Sequence, residues 1–344
     1  MRVGICGYAG SGKSTVFAAL APGAGGDRGG VVYGNIKVPD PRVDALAEVF
    51  KPKRKVYAEI TFMDMGGAHA HGGAFPPRVV QNMRNTEVLV HVVRGFDNPM
   101  LADPVDMERD ENNFNDELIL LDLSILERLQ KRWQKEARRG PEVGIVGRCV
   151  EVLEGGEPIR TLGLSDDDMQ HLSGIQLLSA RPLITLYNLG EEAWNDDANA
   201  ARRELREVGQ GEVAMGLCGE LEAEIAALEP DEQAEFLDGL GLGEPARDGF
   251  IRAAYKLLDL ISFLTAGPDE CRAWPIRRGT VARKAARKVH SDIERGFIRA
   301  EVYDWRDLIE AGSEAALKSA GKMALQGKEY VVRDGDVCNF RFNV

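Results

Sequence analysis

The stretch Gly7-Tyr8-Ala9-Gly10-Ser11-Gly12-Lys13-Ser14 decides the reading of this chain. It fits G-x-x-x-x-G-K-S/T in full, with the apolar run Val3-Gly4-Ile5-Cys6 before it and a helix-forming run to Leu20 after it. A phosphate cradle needs that order of buried strand, glycine-rich turn and helix. The glycines let backbone N–H groups curl around phosphate oxygens, and the helix N-terminus adds partial positive charge. Gly10, Ser11, Gly12, Lys13, Ser14 and Thr15 are accordingly assigned to nucleotide binding. Lys13 reaches the β- and γ-phosphates as a catalytic group, and the Ser14 hydroxyl ligates Mg²⁺.

Outward from this loop, apolar runs at residues 56–63, 88–93, 183–187 and 213–217 read as further buried strands, each followed by a polar or glycine-rich turn. Strands separated by helix-length segments predict an α/β fold with a mostly parallel sheet, whose ligands sit at the carboxyl ends of the strands. After the second strand comes Asp64-Met65-Gly66-Gly67, a D-x-x-G pattern. Asp64 can hold the metal, and the Gly67 N–H can sense the γ-phosphate as a second catalytic element. Ala68 occupies the place where switch GTPases carry a glutamine that orients the attacking water, which a methyl group cannot do. His69 and His71 either supply a polar group there or are exposed imidazoles, and His91 lies within an apolar strand as a packed histidine.

Guanine readers place N-K-x-D after a later strand. Here the corresponding residues are Asn188-Leu189-Gly190-Glu191, so the lysine is missing and the carboxylate sits one methylene further out. Displacing a paired acceptor by that length degrades guanine readout. Asn188 and Glu191 are assigned to the base site, with Leu217 and Cys218 after the last strand supplying surrounding backbone.

The chain has 344 residues, of which 43 are basic and 55 acidic, a net charge of −12. That balance excludes a wholly basic nucleic-acid coat. From Gly267 onward the net is +3, and between Arg272 and Lys288 there are seven basic residues and no acid. Contact with RNA phosphates and a merely solvated surface are both open for this patch. Five widely spaced cysteines argue against a disulfide framework and favour a reducing cytosol, and no apolar run has membrane-spanning length. Leu118, Leu121, Ile125, Leu129 and Trp133 recur on one helical face, and Gly140-Pro141 breaks the helix. Two readings fit: a helical hairpin inserted into the sheet domain, or two more sheet-covering helices. Near the C-terminus, Asp334-Gly335 between two β-type runs predicts a hairpin turn.

With these residues in place the chain resembles the Obg-like ATPase family, YchF type. The similarity is carried by the P-loop, by Val38-Pro39-Asp40-Pro41-Arg42-Val43-Asp44, by His91-Val92-Val93-Arg94, and by Tyr187 through Glu191. It continues through Phe263-Leu264-Thr265-Ala266-Gly267, the stretch from Glu294 to Val302, and Gly335 to Val344. The resemblance implies a P-loop NTPase (G-like) domain over residues 1–115 and 180–265, a helical-hairpin insert over 116–179, and a C-terminal TGS domain of β-grasp type over 266–344. It also implies ATP in preference to GTP and association with ribosomes. The expected contacts with the ribosome or RNA are the basic segment Arg272–Lys288 and the hairpin, with Mg²⁺ the cofactor expected at Ser14 and Asp64. Two features depart from the family pattern: residues 23–35 hold no switch threonine, and residues 96–103 hold no histidine. With Ala68, these departures predict slow turnover, or alternatively a non-hydrolysing adaptor stabilised by nucleotide.

Overall fold

The computed structural model describes residues 1–23, 30–66, 74–240 and 244–343. The chain divides into two compact units, Met1–Ile36 with Thr61–Leu257, and Lys37–Ile60 with Leu258–Val344.

The first unit is built on a seven-stranded sheet in the order Val31–Val38, Ala58–Met65, Arg2–Cys6, Val88–Gly95, Leu183–Leu189, Glu212–Leu217, Arg206–Gly209. Arg2–Cys6 is parallel to both its neighbours, and the two strands beyond Val88–Gly95 continue in parallel. The edge strand Arg206–Gly209 runs antiparallel to its neighbour. Every residue of Val88–Gly95 and of Leu183–Leu189 is buried. A parallel strand covered on both faces must be apolar nearly throughout, which is why these segments read as hydrophobic runs. The register sets Ile5 beside Asp64, Cys6 beside His91, and Asn188 beside both Arg94 and Leu217. The carboxyl ends of five strands therefore share one edge of the sheet.

The helix Met107–Lys135 is capped by the Asp106 carboxylate, which accepts from the Arg109 N–H at 3.0 Å. Acids in its first turn and bases in its last complement the helix dipole. Its apolar buried positions are Phe114, Leu118, Ile119, Leu126 and Trp133, so the inward stripe is rotated from the one expected through Leu121, Ile125 and Leu129. The helix contributes to two apolar cores. Phe114 and Leu118 join the core beneath the sheet with Cys6, Met65 and Leu183. Further along, Ile119, Leu126 and Trp133 pack with Ile145, Val146, Cys149 and Leu153 of the helix Pro141–Glu154 in a separate apolar core. Buried Asp122 pins the helix by accepting from the Leu178 N–H at 3.0 Å, the Ser179 N–H at 2.6 Å and the Ser179 hydroxyl at 2.7 Å.

The second unit holds a six-stranded mixed sheet in the order Ala324–Gln326, Phe297–Asp304, Asp336–Phe342, Leu260–Thr265, Glu270–Arg277, Arg54–Val56. Residues 258–265 belong to it, against the expected boundary at 266, because Leu260–Thr265 pairs along its whole length with Glu270–Arg277. It also takes in residues 37–60, because Arg54–Val56 adds a parallel edge to the same strand. Asp40 caps the helix Pro41–Phe50 and grips the Arg42 guanidinium at 2.8 Å through both oxygens, while Arg42 also reaches Asp334 at 3.0 Å. The Asp334-Gly335 turn forms, with Gly335 at φ 86°, but it does not close a hairpin. Val331 makes only a bridge to Val281, and Asp336–Phe342 pairs with Phe297–Asp304 instead. Among the described residues no helix is long and apolar enough to cross a membrane.

The rotated stripe is checked by truncation. Leu126→Ala should destabilise the first unit by about 2–5 kcal/mol through the cavity it leaves. Half-buried Leu129→Ala should cost clearly less, and denaturant midpoints of the two variants compare them directly.

Candidate nucleotide site

The loop between Cys6 and Lys13 is shaped by two glycines in left-handed conformation, Gly10 at φ 74° and Gly12 at φ 77°. Gly12 caps the helix Lys13–Leu20 without a side-chain acceptor, so no capping side chain takes up the first-turn N–H groups. The packing around the loop is close. A methyl at Gly12 would stand 2.1 Å from Asn188 Nδ2, and one at Gly7 would stand 2.8 Å from the Val92 carbonyl oxygen. Ser11 Oγ is buried with no hydrogen-bond partner among the described residues. Buried polar atoms are ordinarily paired, so this hydroxyl points to a polar ligand at the loop.

Lys13 and Ser14 converge on a single carboxylate. The Lys13 ammonium is ion-paired to Asp64 Oδ1, and the Ser14 hydroxyl donates to Asp64 Oδ2 at 3.3 Å. Both members of the ion pair are largely hidden, with 12% of the lysine side chain and 8% of the aspartate side chain exposed. Cys6, in the strand beside Asp64, has its thiol pushed up to about 12 by burial, so it stays protonated. Among the described residues no group of three or more His, Cys, Asp or Glu side chains could hold a metal by itself. One hydroxyl and one carboxylate suit Mg²⁺, a hard ion that completes its shell with water and phosphate oxygens. Ser14 and Asp64 fit that ion. Gly67, Ala68, His69 and His71 lie outside the described residues.

On the base side, Asn188 is a brace. Its Nδ2 donates to the Ser11 carbonyl at 3.0 Å, and its Oδ1 accepts from the Gly219 N–H at 3.0 Å. The carboxamide thus ties the phosphate loop to the start of the helix Gly219–Ala227, and a base contact would have to use its remaining N–H or lone pair. Glu191 is exposed and opens the short helix Glu191–Asn195. Leu217 ends its strand and Cys218 caps the next helix, both buried, and burial raises the Cys218 thiol as well. Ser14 and Thr15 are both exposed, at the start of the helix. His91 is packed, stacked on Phe114 at 4.0 Å and edge-on to Tyr8 at 5.8 Å.

Three residues escaped the sequence reading. The Phe96 ring would lie 3.4 Å from a methyl at Gly12, and its Cβ 3.0 Å from one at Gly190. Leu101 and Asn98 crowd Gly10 in the same way. The available signal was their place directly after the strand 88–93. A strand lying between those of the phosphate loop and the base motif must deliver its following residues to the shared edge.

Comparisons with known proteins agree with this fold. The family model YchF-GTPase_C, described as a protein of unknown function (DUF933), matches residues 260–343. A Pasteurella multocida protein named ribosome-binding ATPase YchF is 39% identical, with all of this chain and 99% of that protein aligned. Its Bacillus subtilis namesake is 35% identical over the full length of both. Among solved structures, the Schizosaccharomyces pombe YchF GTPase superposes with a TM-score of 0.87 at 27% identity, covering 99% of this chain and 97% of that one. A GTP-binding protein from Pyrococcus horikoshii shares the fold, with a TM-score of 0.60 at 17% identity over both full chains. With a P-loop of this geometry and full-length similarity at these levels, the chain belongs to the YchF family.

Proposed function

We propose that this protein is an Mg²⁺-dependent ATPase that binds ribosomes and whose nucleotide state governs that binding. The observation that carries the reading is the convergence of Lys13, Ser14 and Asp64 beneath an uncapped helix N-terminus. Relatives named ribosome-binding ATPases, similar along the whole chain, support the choice of nucleotide and partner.

The residues act in a simple order. The loop N–H groups and the helix N-terminus receive the phosphates, and the Lys13 ammonium leaves Asp64 for the β- and γ-phosphate oxygens. Asp64, relieved of its lysine, joins Ser14 as a metal-binding pair. When bound, Mg²⁺ would neutralise charge developing on the phosphate oxygens. Asn188 holds the loop in register with the base side of the site. Slow turnover follows from position 68, where alanine cannot orient water, and from the lack of a histidine in residues 96–103. Leu189 and Glu191, in the places of the guanine-reading lysine and aspartate, weaken guanine readout, and relatives named as ATPases support the choice of ATP.

The basic segment is the proposed RNA contact, within a C-terminal region read as a TGS domain. Arg283, Lys284, Arg287 and Lys288 lie on the helix Ala282–Val289, whose buried side is alanine. Acids distant in sequence temper the patch. Glu294 lies 3.4 Å from Lys284 and 3.6 Å from Arg287, and Asp259 lies 3.0 Å from Arg278. The surface is therefore a moderate phosphate contact, weaker than the sequence count suggests.

Two experiments test the proposal. Titration with labelled nucleotides should show ATP binding more tightly than GTP, and Lys13→Ala should weaken ATP at least about tenfold, or 1.4 kcal/mol. Equal or tighter GTP binding would reject the adenine assignment. ATP binding without phosphate release in single turnovers, with or without ribosomes, would support the adaptor reading instead. Separately, removing the charges of Arg277, Arg278, Arg283 and Lys284 should weaken ribosome binding and flatten its salt dependence. The log–log slope should fall by about 0.7 for each phosphate that is no longer neutralised. Unchanged binding across salt concentrations would exclude the patch.

A further inference from the structure

Glu117 lies on the long helix Met107–Lys135, away from the Lys13–Asp64 pair, and nothing above uses it. Its carboxylate Oε1 accepts from the Phe75 backbone N–H, where the chain enters the helix Pro77–Met83. Phe75 is buried and meets Phe114 edge-on at 5.6 Å. Phe114 stacks on His91 at 4.0 Å, and His91 meets the ring of Tyr8 edge-on at 5.8 Å. Tyr8 is the second residue of the phosphate loop. The same Tyr8 and Glu117 line a cleft of about 390 Å³ together with Ala74, Asn113, Asp116 and Leu120. A carboxylate, a backbone amide and four rings thus form one continuous path from the long helix to the phosphate loop.

We propose that Glu117 is a positioning residue for the nucleotide site, clasping the backbone at Phe75 and through the aromatic stack fixing Tyr8 and its loop against the long helix. The clasp makes the helix that carries the hairpin sensitive to the loop, and the loop sensitive to the helix. This inference rests on the ATPase reading for its effect on turnover, but the clasp itself does not.

The clasp is also tunable by pH. Burial pushes the Glu117 carboxyl up to about 7, opposed by the Phe75 N–H. Among the described residues, the groups facing this region include Tyr8, whose phenol is raised by burial and then by Glu117, Asp110 and Asp116, and His91 on the strand beneath. Ionised Glu117 makes a charge-assisted bond to the amide, stronger than its protonated form can make. The clasp therefore tightens as pH rises through about 7. Stability runs the other way: a carboxyl raised above its unfolded value of 4.5 favours folding when protonated, and that contribution is lost as pH rises through about 7. Glu117→Gln keeps an acceptor oxygen without the charge.

The test uses the full chain with Glu117→Gln and Glu117→Ala. Hydrogen exchange without nucleotide should show the Phe75 amide protected in the wild type. For local opening that breaks the amide–carboxylate bond while Glu117 stays buried, the protection factor should rise from pH 6 to pH 8. Protection should be independent of pH in Glu117→Gln and lower by about tenfold or more in Glu117→Ala. In single turnovers with Mg²⁺ and ATP, the ratio of wild-type to Glu117→Gln rates should rise severalfold over the same range. Glu117→Ala should slow the step about tenfold while ATP affinity changes less than twofold. Failure to bind ATP would remove the ATPase reading and leave the exchange result standing. Full Phe75 protection in Glu117→Ala, or identical pH profiles for wild type and Glu117→Gln, would overturn the clasp.

Discussion

An ammonium and a carboxylate held together at the foot of a helix, Lys13 against Asp64, is the contact on which the rest of this molecule turns. Both side chains are mostly hidden from water, so removing either alone would strand a charge, at a cost of about 3–5 kcal/mol. The pair also sets the terms on which a ligand enters. A polyphosphate could draw Lys13 away only if Asp64 received another positive charge, which a divalent cation held by Ser14 and Asp64 would supply. In the proposed exchange local charge would stay nearly balanced, which would couple the binding of metal and nucleotide.

The sheet makes that exchange local and its consequences distant. Parallel pairing sets Asp64, the phosphate loop, Asn188 and Leu217 along one edge, so small displacements of the loop act on the base side through Asn188. The long helix meets the same region through Phe114 and Leu118, then departs to form a separate core with its neighbour. A rigid rod with one end under the nucleotide site and the other in its own apolar core is suited to carry a change of occupancy outward.

The phosphate loop, the parallel strands and Asp64 were legible because each rests on a local pattern with a strict backbone requirement. Gly10 and Gly12 adopt the left-handed geometry that such a loop demands, and the buried strands are apolar because both their faces are covered. What could not be read depends on neighbours distant in the chain. Asn188 reads as a base-site residue, but its bonds to Ser11 and Gly219 could not be read, because only strand order brings those together. Phe96 and Leu101 reach the loop for the same reason. The basic run lacked acids in sequence, yet Glu294 and Asp259 reach it in space. Arg54–Val56 joins the C-terminal sheet through Glu270–Arg272, far along the chain, a pairing that no local pattern signals.

The central claim is the exchange of partners at Lys13, and a crystal structure with a non-hydrolysable ATP analogue and Mg²⁺ tests it most directly. Lys13 Nζ is expected on the β- and γ-phosphate oxygens, with Ser14 and Asp64 at the metal. A Lys13–Asp64 pair still intact, with phosphates bound elsewhere, would contradict it.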